Sequence, residues 1–343
     1  MSPTAARVIR TAPLLLALLA APIAAQSRDV TDHGSRSTHS IINGSHRVEV
    51  RTSGEVEIND EGDWVTGLSS GGRVVVEEEG RGPERRVEFR PAAEGVRALY
   101  FVDGRERPLD AEGRSWARRL LGDAVRESGL GARRRVERIR ARRGVGGVLD
   151  EIGRIRGDTG KRMYFAALFA GAPLRDDEFA RAMREVARIG SSTDKRLVLV
   201  SAADAAPDGA RLAALLQAAG TLDSGVETRL VLNRVAARST LADAGSRAAF
   251  FAAVDRVDSD VEKRLMLVPL LRRSDVSRAV LLSTFRSVRG IDSDVEKRLV
   301  LTQVPAARLR DDELSRGFMD AARTIGSDVE RSLVLRHAAR SAR

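Results

Sequence analysis

The phrase Ser259-Asp-Val-Glu-Lys-Arg-Leu-Met-Leu267 returns as Ser293-Asp-Val-Glu-Lys-Arg-Leu-Val-Leu301, and again as Ser327-Asp-Val-Glu-Arg-Ser-Leu-Val-Leu335. Toward the N-terminus stand weaker copies, Ser224-Gly-Val-Glu-Thr-Arg-Leu-Val-Leu232 and Ser191-Ser-Thr-Asp-Lys-Arg-Leu-Val-Leu199, and a degenerate one, Gly157-Asp-Thr-Gly-Lys-Arg-Met-Tyr-Phe165. Successive starts are 34, 33, 35, 34 and 34 residues apart. That interval suits a two-helix solenoid unit whose apolar side can be buried only against its neighbours.

Each phrase reads as a helix start. A cap Ser accepts from the amide three residues on, and the Glu there is expected to reach back to the cap amide, as in Ser259/Glu262, Ser293/Glu296 and Ser327/Glu330. Such a cap contributes about 1 kcal/mol. The Leu-Val-Leu triplet is expected to bury a broad stripe, with Lys-Arg at its rim. The second helix of each unit precedes the next phrase. Eight residues before each start stand Leu149, Met183, Leu216, Phe251, Phe285 and Met319, and two before stand Ile155, Ile189, Leu222, Val257, Ile291 and Ile325. Both columns are large and apolar in every copy, as a shared core requires. Asp176-Asp177-Glu178 and Asp311-Asp312-Glu313 mark second-helix starts, because acidic residues favour helix N-termini. The end copies depart from the pattern at Gly157, Gly160 and Ser332, and a polar final helix is expected to close the array.

Upstream, the pattern changes to period two. Runs at 47–51, 54–58, 64–68, 73–79, 85–90 and 96–103 alternate apolar and polar residues between turn signals such as Asn59-Asp60-Glu61-Gly62 and Ser69-Ser70-Gly71-Gly72. They predict a small antiparallel meander with Val96, Ala98, Tyr100 and Val102 on one face. A helix capped by Asp110 and carrying Trp116, Leu120, Leu121 and Val125 is its expected cover. The fold class is therefore α+β: a β unit over 46–130, a connector with the first repeat helix over 131–156, and an all-α solenoid over 157–343. The connector includes residues 132–143, where seven arginines read either as a solvated linker or as an anion-binding helix.

The N-terminal end carries the layout of a secretory signal over residues 1–25: Arg7 and Arg10, an apolar run from Ala12 to Ala21, then small residues. That run is short for a membrane span. Residues 26–45, rich in Ser, His, Gly and Asn, read as a flexible linker. His33, His39 and His46 in and beside it lack the spacing of a metal site. Cysteine is absent, which removes thiolate metal sites, disulfides and cysteine nucleophiles. The formal charge of +10 falls to about +8 without the signal arginines. For an exported chain this points away from nucleic acid, toward an anionic polymer, a membrane surface or an acidic protein.

All four lysines, Lys161, Lys195, Lys263 and Lys297, occupy one repeat position, and Arg196, Arg264 and Arg298 follow them in sequence. Two readings stand: a relic of duplication, or a cationic ridge that binds an extended acidic partner.

The period is similar to that of HEAT-like and tetratricopeptide arrays, although the Trp, Tyr and Pro positions of the latter are missing. The Ser-Asp-Val-Glu-Lys-Arg-Leu-Val-Leu phrase also resembles the C-terminal extracytoplasmic region of bacterial membrane zinc peptidases of the beta-lactam-sensor type, over residues 97–343. The His-Glu-x-x-His helix and the membrane spans of those proteins are absent, so no catalytic residue carries over. The resemblance implies a detached sensor-like or accessory module.

No Gly-x-Ser-x-Gly elbow, phosphate loop or dinucleotide fingerprint occurs, and His337 stands by itself in the last helix. The sequence is thus expected to specify an exported, non-enzymatic scaffold without cofactor, holding a protein or peptide of the cell envelope in the solenoid groove. Electrostatic binding of an anionic envelope polymer or lipid is the alternative.

Overall fold

The computed structural model of the protein describes residues 36–43, 46–59, 61–80, 82–206 and 208–339. The expected signal peptide and residues 26–35 of the expected linker lie outside them. Residues 44–45 of that linker also lie outside them, and its described part is not a linker: Arg36–Asn43 is a strand, β1, paired antiparallel with β2 (His46–Ser53).

Strands β3 (Val56–Ile58), β4 (Val65–Leu68), β5 (Arg73–Glu79), β6 (Arg85–Ala92), β7 (Gly95–Val102) and β8 (Arg105–Arg107) follow. They form a six-stranded antiparallel sheet ordered β1-β2-β5-β6-β7-β8, with β3-β4 as a separate hairpin. Alternation decides the two faces. Val76, Val87 and Tyr100 are cross-strand neighbours and buried, as are Val74 and Phe89. Helix α1 (Ala111–Ser128) covers that side with Trp116, Leu120, Leu121 and Val125, capped by Asp110, whose carboxylate accepts from Gly113 N. The Trp116 indole N–H is satisfied by Glu78 at 2.5 Å.

The opposite face is roofed by charge. Glu88, only 1% exposed, is clamped between Arg73 (2.6 Å) and Arg90, and the Arg86 guanidinium lies 4.3 Å from the Phe101 ring centre. Burial pushes the Glu88 carboxyl up, but the two guanidiniums outweigh it and hold the group below its ordinary range.

After α2 (Ala132–Arg154), which is broken at Gly144 (φ 64°, ψ −171°), the helices alternate between two layers. The first-helix or A layer holds α3 (Asp158–Ala170), α5 (Ser192–Ala203), α7 (Gly225–Ala236), α9 (Asp260–Leu271), α11 (Asp294–Leu301) and α13 (Asp328–Ala339). The B layer holds the second arm of α2, then α4 (Asp176–Val186), α6 (Gly209–Ala219), α8 (Ala244–Asp255), α10 (Arg278–Val288) and α12 (Asp312–Arg323). Each A helix packs on the next A helix and each B helix on the next B helix, which is the stacking of a helical solenoid. One apolar core runs through the array from Ala132 to Val334, distinct from the core of the β unit, which ends at Val125. Both apolar columns lie in the array core or pack against it, Leu149, Phe285 and Ile325 among them.

Three local expectations need correction. The cap serines do accept as foreseen, Glu296 N donating to Ser293 Oγ at 3.4 Å and Asp194 N to Ser191 Oγ at 3.2 Å, but the acid three residues on does not return to the cap amide. Where the preceding copy carries an aspartate, that aspartate takes the amide: Asp158 accepts from Ser191 N (2.7 Å), Asp260 from Ser293 N (2.8 Å) and Asp294 from Ser327 N (2.8 Å). The Leu-Val-Leu triplet is not buried throughout, because its first leucine faces outward. Nor is α13 polar over its open side, since Leu335 is 38% exposed where Leu199, Leu232, Leu267 and Leu301 are at 0%.

Candidate functional site

The polar half of the repeated phrase is used up between copies. Arg162 donates to Asp194 at 2.6 Å and Arg229 to Glu262 at 2.6 Å, while Arg196, Arg264 and Arg298 pair with Glu227, Glu296 and Glu330. Each arginine thus holds the acid of the following copy. The sixth copy has Ser332 at the arginine position, and the first has Gly160 at the acid position, where a Cβ would come within 2.5 Å of Glu127 O.

The lysines serve the other layer. Lys195 Nζ donates to Thr221 O (2.8 Å) and Oγ1 (3.1 Å), Lys263 to Gly290 O (3.0 Å) and Lys297 to Thr324 O (2.8 Å). These oxygens lie just past the C-terminal ends of α6, α10 and α12, where helix carbonyls lack partners and the dipole favours a cation. Lys195 and Lys297 are buried at 4% and 6% exposure. Burial pulls the Lys195 ammonium below its ordinary range, partly countered by Asp223 and Asp158. Lys161, Lys263 and Lys297 also lie 3.8–4.0 Å from the aspartate three residues before them, Asp158, Asp260 and Asp294. In the two copies without lysine, the Thr228 hydroxyl returns to Ser224 O, and Arg331 donates to Ile325 O at 2.8 Å. The structure makes Lys195, Arg196, Lys263, Arg264, Lys297 and Arg298 staples of the array, with their cationic ends turned to protein oxygens, whereas Lys161 pairs with Asp158 of its own helix.

What the phrase leaves outward is apolar. Its third and seventh residues are four apart, hence on one side of the A helix. Val226, Val261, Val295 and Val329 are 44–68% exposed, and Leu197, Leu230 and Leu333 are 37–40% exposed. Leu265 and Leu299 are half-buried in the same column. Among the described residues, every exposed large hydrophobic lies on an A helix. The Arg–Glu rungs between these columns are mutually neutralised, so the face combines apolar columns with little net charge. Sequence reasoning missed these columns, although the i, i+4 spacing of Val and Leu opposite the buried pair carried the signal.

The arginine helix is neither free nor merely solvated. Arg135 bridges Glu151 (2.9 Å) and Glu61 O (2.8 Å), Arg138 reaches Asn59 O (3.4 Å), and Arg140 donates to Ala172 O (2.8 Å). It splices the β unit to the first copies. Glu127 adds to the splice by accepting from the amides of Arg156 (3.0 Å) and Gly157 (2.5 Å).

Among the described residues no group of His, Asp and Glu has the arrangement of a metal site. His337 Nε2 lies 2.8 Å from Val304 O. His39 and His46 lie in β1 and β2, and His33 is outside the described residues. No described helix is long and apolar enough to cross a membrane. Set against family models, characterised proteins and solved structures, the chain finds no match.

Proposed function

We propose that this protein is an exported, non-enzymatic scaffold that holds a protein or peptide of the cell envelope on the A-helix face of its solenoid. The observation that carries the reading is that the exposed valines and leucines of the described residues lie on A helices, all but Leu335 of the last helix in two columns that recur along the array. Solvent-exposed apolar residues gathered in one contiguous stripe mark interaction surfaces more often than scattered ones do. Stacked units offer such a stripe over a length that suits an extended or helical partner. Export follows from the layout of residues 1–25, and a sensor-like or accessory role follows from the resemblance of the repeated phrase.

An electrostatic role for the Lys and Arg positions receives less support, because their charged groups already face internal oxygens. The two readings separate by salt. A contact made by apolar columns and neutral rungs keeps its affinity as ionic strength rises, whereas a cationic ridge loses it. The test is capture from envelope extract at low and high salt, by the native protein and by a Leu230→Ser, Leu265→Ser, Leu299→Ser variant with an unchanged circular dichroism spectrum. The expected result is a partner retained at high salt and lost by the variant. Capture that vanishes with salt, or that the variant preserves, overturns the proposal; turnover of a peptide or ester by the pure protein replaces it with an enzyme.

A further inference from the structure

The apolar columns of the A face are fullest over the last four A helices. Each of α7, α9, α11 and α13 carries both members, as Val261 and Leu265 do on α9, whereas Thr193 on α5 and Thr159 on α3 interrupt the valine column. Whatever covers this face has to match its period, its area and its charge.

Packed helices lie about 8–10 Å apart, so the column members recur at that interval along the array. An extended peptide presents same-side residues about 6.6 Å apart and falls out of step within two modules. A straight helix keeps step only with an apolar residue at every seventh position, about 10.5 Å apart, and then covers a single strip. A second copy of the array keeps step at every module, because its interval is the same. A twelve-residue A helix such as α9 spans about 18 Å, and the five from α5 to α13 side by side about 45 Å, a face on the order of 800 Å². That is about the 800 Å² which each partner contributes to a stable interface of ordinary size.

The formal charge of +10 makes two copies repel over most of their surface. The middle of the A face is exempt, since its Arg–Glu rungs are neutral. Its two rims differ in sign. Asp223, Asp258 and Asp292 stand exposed at the residue before the cap serines of α7, α9 and α11, while Arg256 and Arg289 of the same turns stand back as the C-caps of the B helices α8 and α10. At the opposite rim Arg272 and Arg336 are exposed at the ends of α9 and α13, and Arg234 with Arg238 outnumbers Asp204 between α5 and α7. A two-fold axis running along the array reverses the helix direction, so that the acidic rim of each copy meets the basic rim of the other and each valine column meets a leucine column. Given that the A face is the interaction surface, we propose that its occupant is a second copy of this chain, packed face to face with the A helices antiparallel.

Sedimentation velocity of residues 26–343 over a range of concentrations, at low and high salt, tests the proposal. The native chain should form a dimer that survives high salt, and the Leu230→Ser, Leu265→Ser, Leu299→Ser variant, with an unchanged circular dichroism spectrum, should be a monomer. Orientation is read with introduced cysteines, the chain having none of its own. Asp258→Cys chains mixed with Arg272→Cys chains should be joined by a short bismaleimide, and neither should be joined to itself, because α9 sets the two positions about 20 Å apart. Arg272→Asp should weaken association about tenfold, and adding Asp258→Arg should restore it. A native monomer at every concentration overturns the proposal, as does a triple variant that still dimerises or an Asp258→Cys chain that joins itself in preference to Arg272→Cys. A native monomer that captures a salt-resistant partner from extract leaves the A face an interaction surface for a different protein, and one that captures nothing removes both readings.

Discussion

The staple between Arg264 and Glu296 permits a quantitative test of how the array coheres. Its side chains are 25% and 13% exposed, so the pair is mostly shielded from solvent, and it joins the neighbouring A helices α9 and α11. Hydrogen bonds to charged groups contribute about 1.5–3 kcal/mol when buried. Residual exposure reduces this, so a coupling of about 1–2 kcal/mol is expected between Arg264→Ala and Glu296→Ala in a double-mutant cycle. At roughly 2–4 °C per kcal/mol for chains of this order, either single variant should melt several degrees early. The double variant should melt little earlier than the worse single one. The pair Arg323–Asp320, 73% and 55% exposed within α12, serves as control and should couple by about 0.5 kcal/mol or less. Urea unfolding followed by circular dichroism of the native protein and the six variants gives both cycles. A coupling at Arg264–Glu296 no larger than at the control pair would refute the claim that polar rungs bind neighbouring copies. Since interface terms in a solenoid act between nearest neighbours, hydrogen exchange should place the loss at α9 and beyond and spare α3 to α5.

Other outcomes follow from the same structure. Ser293→Ala should cost about 1 kcal/mol by freeing the Glu296 amide, and an unchanged urea midpoint would count against the cap. Gly144→Ala should destabilise by about 1–3 kcal/mol although its Cβ would meet nothing, because φ 64° with ψ −171° suits glycine alone; an unaltered melt would contradict that. Asp294 is held below its ordinary range by accepting from Ser327 N and then Gly326 N. A carboxyl so depressed stabilises the fold above its unfolded value and ceases to do so as pH falls through the folded one. Amide protection at Ser327 should therefore drop below about pH 4, and Asp294→Asn should lack that pH dependence; a pH response identical in native and variant chains would remove the assignment. A fragment of residues 131–343 should fold with native-like cooperativity. One starting at residue 144 should be weaker, because Ala132 and Val136 belong to the array core; equal stability would show that the first arm of α2 is dispensable.

The helical array was readable in advance because period, cap serine and paired apolar columns all speak locally. The function of Lys195 and Arg264 was not, since their partners Thr221 and Glu296 are 26 and 32 residues away and meet only after stacking. The same distance hid the fate of the cap amides, which a self-contained capping box would have satisfied within one helix. Strand β1 escaped notice because Arg-Ser-Thr-His-Ser-Ile-Ile-Asn has no apolar alternation, and its pairing with β2 decides its state. The break of α2 lay in plain view as Gly144 amid arginines, yet a lone glycine signals either a flaw or a bend. As for the outward columns, the triplet Leu-Val-Leu looks uniformly greasy on paper. Only the wheel position of its first member separates Leu230, 39% exposed, from Leu232, at 0%.

The rungs also have a direction. Every interior copy hands a guanidinium to the unit ahead and receives one from the unit behind, and the later copies hand on an aspartate as well, so head and tail of a module are chemically distinct yet mutually matched. A duplicated module spliced in at the right phase would find both of its joints ready-made. Such an array can lengthen or shorten by whole modules, its reach tuned to a guest of different size, without any residue having to be reinvented.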